Sequence, residues 1–276
     1  MPRGGDRYDP GVHPTGRSLA EANLRAALSL FPKCSPGAVL QEGDGVLLVA
    51  SKARVTGAFH AAAVRTVRSV PADRVLAATF EFARSHGREV SVWAAEDADA
   101  DLVDTLIRAE LLERPPVVGM SLALPADHLA QVARRCGVDV QPVSTAEGVA
   151  AFADVHGRGI TALGRPRSAV DHYATLGALT DPHADAFVAS VDGVTVAASM
   201  TFTTGSPAGI YWVVTHPDRR RRGLGRAVTA AAAQAGAARG ADLIVLQATA
   251  MGAPLYAELG FVPFTTYRRW LVTPNT

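Results

Sequence analysis

Two stretches of the chain repeat each other. AVLQEGDGVLLVAS (residues 38–51) and AFVASVDGVTVAAS (residues 186–199) align without a gap, 148 positions apart. Each reads as a β-hairpin in which two apolar-rich runs meet at an Asp-Gly pair, Asp44-Gly45 and Asp192-Gly193. That dipeptide tolerates the positive φ a two-residue turn requires. The surroundings repeat as well. A helical stretch precedes each hairpin, LAEANLRAALSLF in the first half and SAVDHYATLGAL in the second. An apolar strand and a proline follow, Pro71 and Pro217, then a helix ending near a glycine, Gly87 and Gly240. A further strand (REVSVWA, ADLIVLQA) and a further helix complete each copy. This order predicts an α/β fold in which each half builds a sheet flanked by helices.

A chain of 276 residues has room for two such units, each large enough for its own core. The boundary is expected near residues 134–137, before the strand VDVQPVS. The expected division is a flexible tail over residues 1–17, a first domain over 18–134 and a second over 135–276. The Pro/Gly/Arg-rich start has no apolar run suited to a signal peptide, and no segment approaches the roughly 20 apolar residues of a membrane span. Cys34 and Cys136 lie far apart without metal-ligand spacing, as thiols of a reducing compartment do. The expectation is a cytoplasmic protein, monomer or homodimer, that binds no metal and no membrane.

With a net charge of only +1, wholesale nucleic-acid binding is disfavoured, yet four arginines stand together in THPDRRRRGLGRAV (residues 215–228). Their position carries the argument. From Pro71 to Gly87 the first copy takes 16 steps, whereas from Pro217 to Gly240 the second takes 23. The additional residues fall at the arginines, at a strand-to-helix junction. Pro217 ends the strand. Gly223 and Gly225 bracket the first turn of a helix running to about Arg239, where unbonded N–H groups and the helix dipole favour an anion. Leu224 lies between the two glycines. Arg220, Arg221, Arg222 and Arg226 can add charge-assisted bonds. One full charge pair at about 4 Å contributes up to about 4 kcal/mol at an effective dielectric near 20, before desolvation. The pattern is neither a Walker loop nor a dinucleotide fingerprint.

At Pro217, Arg220, Gly223 and Gly225 the sequence resembles the GNAT acetyltransferase superfamily. Its members hold the pyrophosphate of acetyl-CoA on a Gln/Arg-x-x-Gly-x-Gly/Ala loop at this junction. The resemblance extends to LQATAMGAPLYAELGFVPFTTYRRWL (residues 246–271) and covers residues 138–271, with the first copy similar in outline only. It implies two GNAT-like domains in tandem, each a mixed, mostly antiparallel twisted sheet flanked by helices, the first copy degenerate. It implies acetyl-CoA as co-substrate and a primary amine as acceptor. It further implies that main-chain groups of Val213, Val214 and Thr215 receive the acetyl carbonyl and pantetheine arm on a strand splayed from its neighbour. Thr249 stands where relatives often carry an asparagine that touches the cofactor.

The resemblance also assigns Tyr256 as general acid for the departing thiolate. A phenol of pKa about 10 is protonated at neutral pH and can donate to a thiolate whose acid titrates near 8.5. Pro254 suits the first turn of its helix and Gly260 the end, and Leu255 and Leu259 should face the core. No carboxylate stands on AGIYWVV, so His216, His172, Asp171 and Asp154 are the candidate bases. Deprotonating a lysine-like amine at pH 7 costs about 4.6 kcal/mol, against about 1.4 for an α-amine, which favours a small acceptor of low pKa. The first copy lacks the loop and is expected to brace the second or wall the acceptor cleft; the alternative is a ligand of its own at His60, Arg65 or Trp93. Two other functions stay open: an acyl-CoA sensor without chemistry, and a nucleic-acid module using Arg219 to Arg222.

Overall fold

The computed structural model describes residues 14–34, 37–51, 59–135, 137–170 and 174–275. In the first half, α1 (Pro14–Lys33) precedes β1 (Val39–Gly43), β2 (Val46–Ala50) and β3 (Ala61–Arg65). Then come α2 (Ala72–His86), β4 (Val90–Ala95), α3 (Ala100–Arg108) and β5 (Leu112–Ala123). α4 (His128–Arg135) leads to β6 (Asp139–Pro142), α5 (Ala146–Thr161) and the one-turn α6 (Leu176–Leu179). β7 (Ala184–Val191), β8 (Val194–Thr203) and β9 (Pro207–Thr215) follow, then α7 (Leu224–Ala238) and β10 (Leu243–Ala248). α8 (Ala253–Glu258) and β11 (Val262–Val272) close the chain. Among the described residues no helix is long and apolar enough to cross a membrane.

The duplicated hairpins form as expected. β1 pairs antiparallel with β2 and β7 with β8, and the turns share one backbone shape: φ of 49° and 74° at Asp44-Gly45, 51° and 74° at Asp192-Gly193. Where the halves were expected to hold a sheet each, the strands join into one sheet of eleven, ordered β1-β2-β3-β4-β11-β5-β10-β9-β8-β7-β6. Only β3–β4 and β9–β10 are parallel among the described pairings. The last strands of the two halves are exchanged. β11 lies between β4 and β5, and β5 lies between β11 and β10. Each sheet edge that a half would leave open is thereby paired by a strand of the other, which removes an exposed edge.

Two expectations change. The chain is helical from Pro14, so residues 14–17 belong to α1 and not to a tail. Its apolar face buries Ala20, Leu24, Ala27 and Leu28, and Arg17 anchors its start by donating to the Phe264 carbonyl at 2.5 Å and pairing with Asp97. Among its described residues, the second expected helix, SAVDHYATLGAL, forms a 3₁₀ turn (Arg167–Ala169) and α6; a long helix before the second hairpin is α5. Thr145 caps α5 by accepting from the Gly148 N–H at 3.2 Å.

Helices cover both faces of the sheet. α1 and α5 pack on one face, with Leu24, Phe152, Met200, Tyr211 and Tyr267 in that core layer. α2 and α3 cover the other face of the first half, and α7 with α4 that of the second. Asn23 of α1 ties the halves together. It donates to the Phe202 carbonyl at 2.9 Å and to Thr204 Oγ1 at 2.8 Å, and accepts from the Tyr211 hydroxyl at 2.6 Å.

Candidate active site

β9 leaves its neighbours part-way along its length. Its parallel pairing with β10 covers residues 207–209 alone, while β10 stays bonded to β5 throughout. On the other side, the register with β8 slips between Ala198↔Val214 and Met200↔Tyr211, so Trp212 and Val213 together oppose Ser199. Trp212 has φ 52°, a left-handed conformation uncommon outside glycine. Bulge and early divergence splay the end of β9 from β10. A cleft of about 810 Å³ opens in the gap, with Val213, Val214 and Thr215 on its wall.

The loop after β9 makes a 3₁₀ turn over Pro217–Arg219, then reverses through two left-handed residues, Arg221 at φ 64° and Gly223 at φ 79°. α7 starts at Leu224. Among the described residues, the first-turn amides of Leu224, Gly225 and Arg226 have no acceptor within the chain. Gly225 permits a close approach: a Cβ there would lie 2.9 Å from Leu255 Cδ1 and 3.4 Å from Thr215 Oγ1. Strand end, helix start and α8 therefore converge on one point, with Leu255 lying over Gly225. The amides and this cradle fit an anion with a thin arm passing along β9.

Arg220, Arg221, Gly223, Leu224, Gly225 and Arg226 line the cleft. Arg222 is exposed and does not, because consecutive residues on so tight a reversal cannot all face one side. Arg226 is exposed and forms an ion pair with Glu258 of α8. Thr249 also lines the cleft, but its carbonyl receives the Gly252 and Ala253 amides at 2.9 Å and its hydroxyl accepts from the Gly252 N–H at 3.3 Å. It caps the start of α8. Tyr256 is half-buried on the wall, its ring edge-on to Phe261 at 6.0 Å. Burial pushes its phenol well above the ordinary value. Leu259 is buried as expected.

Of the expected bases, His216 and Asp154 do not line the cleft. The His216 ring accepts from the Asp218 N–H at 3.3 Å, and Asp154 is held by Arg158 at 2.7 Å and Arg167 at 3.1 Å, which lowers its pKa. Asp171, His172 and Cys136 lie outside the described residues. The cleft wall offers His156 instead, on α5 and 4% exposed. Its Nδ1 sits 3.2 Å from the Phe152 carbonyl, its ring stacks on Phe152 at 4.5 Å, and the Trp212 main chain also hydrogen-bonds to it. Burial pulls the imidazole down to about 4, so it is neutral at pH 7. Sequence reading missed it because α5 itself was not anticipated; the Thr145 cap ahead of AEGVAAF was the available signal.

Residues 182–263 match the sequence model described as Acetyltransferase (GNAT) domain. The chain carries a GNAT-superfamily domain. No curated protein matches the sequence. Among solved structures, a GCN5-related N-acetyltransferase from Kribbella flavida is similar over 92% of this chain and 95% of its own, with TM-score 0.66 and 21% identity. A functionally unknown conserved protein from Staphylococcus epidermidis ATCC 12228 gives TM-score 0.62 at 14% identity, over 87% of this chain and 96% of that one. A tandem GNAT protein from the clavulanic acid biosynthesis pathway gives TM-score 0.55 at 14% identity, over 92% and 94%. These likenesses in fold extend over both halves of the chain.

The region outside the GNAT match also builds the cleft. Phe59, His60, Trp93 and Val117 line it from the first half, and Arg269 from β11. Of the three residues considered for a separate ligand of that half, His60 and Trp93 thus belong to the shared cleft. Arg65 does not: it is buried in ion pairs with Asp99 at 2.8 Å and Asp101 at 2.7 Å, a structural role.

Proposed function

We propose that the protein transfers an acetyl group from acetyl-CoA to a primary amine of a small acceptor. In this reading residues 135–276 bind the co-substrate and residues 18–134 wall the acceptor side. The observation that carries it is the unbonded row of α7 amides opening, beside the splayed end of β9, into the same cleft as Tyr256. Acetyl-CoA supplies the activated acyl thioester. The Leu224, Gly225 and Arg226 amides, with Arg220 and Arg221, hold the diphosphate. Main-chain groups of Val213 to Thr215 on the side turned away from β8 orient the arm and polarise the acyl carbonyl. The Tyr256 hydroxyl, kept protonated by burial, gives its proton to the leaving sulfur.

Base catalysis is the smaller part of this reading. Glu258 is engaged by Arg226, and a neutral His156 of pKa about 4 attracts a proton weakly. The acceptor therefore enters largely as free amine, which favours one of low pKa. Release of CoA thiol across a panel of primary amines tests the transfer. Gly223→Glu tests the binding mode, since it adds a side chain at φ 79° and a negative charge beside the diphosphate. Acetyl-CoA binding should weaken by about 100-fold or more; affinity within about threefold of the parent refutes the loop assignment. Acetyl-CoA binding without thiol release from any amine leaves the sensor reading in its place.

A further inference from the structure

Three nitrogen donors on the wall of the cleft have no acceptor, and two of them, on the adjacent strands β4 and β11, lie together. Among the described residues, Trp93 Nε1, Gln247 Nε2 and Arg269 Nε are buried and have no hydrogen-bond partner. All three residues line the cleft. They share one face of the sheet. Arg269 of β11 is the direct cross-strand partner of Trp93 on β4, and Gln247 of β10 follows Val245, which packs in the same core layer as Trp93. The guanidinium lies over the Trp93 ring, 5.2 Å from its centroid, and donates to the Pro115 carbonyl at 2.5 Å.

Arg269 pairs with no carboxylate among the described residues. Its neighbour Arg268, on the opposite face, is matched by Glu113 through two bonds of 2.8 Å. Burial and the nearby Arg114 and Arg165 pull the Arg269 guanidinium down to about 10, which leaves it charged at neutral pH. Unmatched buried donors cost free energy unless a ligand supplies the acceptors, and a buried charge costs more. Folded proteins keep few such atoms, so the neighbouring Trp93 and Arg269 donors, one of them on a charged group, mark a binding surface. It is separate from the diphosphate site: β11 stands three strands from β9, about 14 Å at the usual strand spacing.

We infer that the acceptor amine carries a carboxylate, received by Arg269 and Trp93. One charge and a small set of N–H donors suit a monoanion with two oxygens. The inference rests on the transferase reading for the amine; the carboxylate site stands on the donors alone.

The test uses the full-length protein with CoA present and a set of dipeptides, each against its C-terminal amide, so that the amine is the same in both members. Binding is read by calorimetry, and turnover separately with acetyl-CoA by thiol release. We expect the acid to bind about 10- to 100-fold more tightly than the amide. Arg269→Gln should bring that ratio towards one, and Trp93→Phe, which removes the N–H with the five-membered ring but keeps an aromatic face, should lower it while acetyl-CoA affinity holds. Where Arg269→Gln does not fold, Trp93→Phe decides. Equal binding of acid and amide, no binding of any acid below about 10 mM, or a ratio unchanged in a folded variant overturns the proposal. Acids that bind as expected without thiol release sink the transferase reading and leave the carboxylate site in place.

Discussion

His156 should make the protein lose stability as the pH falls below about 6.5. The imidazole is 4% exposed and titrates at about 4, against about 6.5 in the unfolded chain. Between these values the unfolded state binds the additional proton, so stability rises with pH through this window. It is fully present above about 6.5 and is lost as pH falls towards 4. The total loss is about 3 kcal/mol, of which about 2 kcal/mol is gone by pH 5. The lowered carboxylates Asp97, Asp101, Glu113 and Asp154 are common to the parent and any His156 variant, so their contribution cancels in the comparison. His156→Gln keeps a donor for the Phe152 carbonyl but cannot take up the proton. Urea unfolding at pH 7.5 and pH 5.0 gives the comparison: the parent should lose about 2 kcal/mol more than the variant between the two. A variant that loses as much as the parent, within about 0.5 kcal/mol, refutes the burial argument.

Two further outcomes concern the cleft. Tyr256→Phe should leave acetyl-CoA affinity intact and lower kcat by about 10²- to 10⁴-fold, as for a lost proton donor; unchanged turnover removes Tyr256 from the chemistry. Glu258→Gln releases Arg226 from its exposed ion pair. Since such pairs contribute up to about 1 kcal/mol, acetyl-CoA should bind up to about fivefold more tightly at low salt and less so at high salt. No change at low salt would show that Arg226 does not reach the diphosphate.

What the sequence disclosed was local. Asp44-Gly45 and Asp192-Gly193 set their turns by backbone preference, and Gly223 and Gly225 announced a helix start because few other residues tolerate those positions. α5 was hidden by its own glycines. Gly157 and Gly159 argue against a helix, yet both are needed for packing: a Cβ on Gly157 would lie 2.7 Å from Arg167 Nη1, and one on Gly159 would collide with Val214. The exchange of β5 and β11 leaves no local trace, since either strand could pair with several edges. For the same reason Arg269 is distinguished from Arg268 by nothing local in TYRRWL. Its environment is supplied by β4 and by Pro115, more than 150 positions away in the chain.

The exchange also governs how the molecule must be made. Until residues 262–272 have been synthesised, β4 and β5 each have an unsatisfied border, and the cleft lacks the wall bearing Arg269. A ribosome can therefore release a complete set of first-half elements that has no finished sheet to sit in. Severing the gene between the repeats would yield two fragments, each missing its innermost neighbour, and mixing them should restore what neither possesses alone.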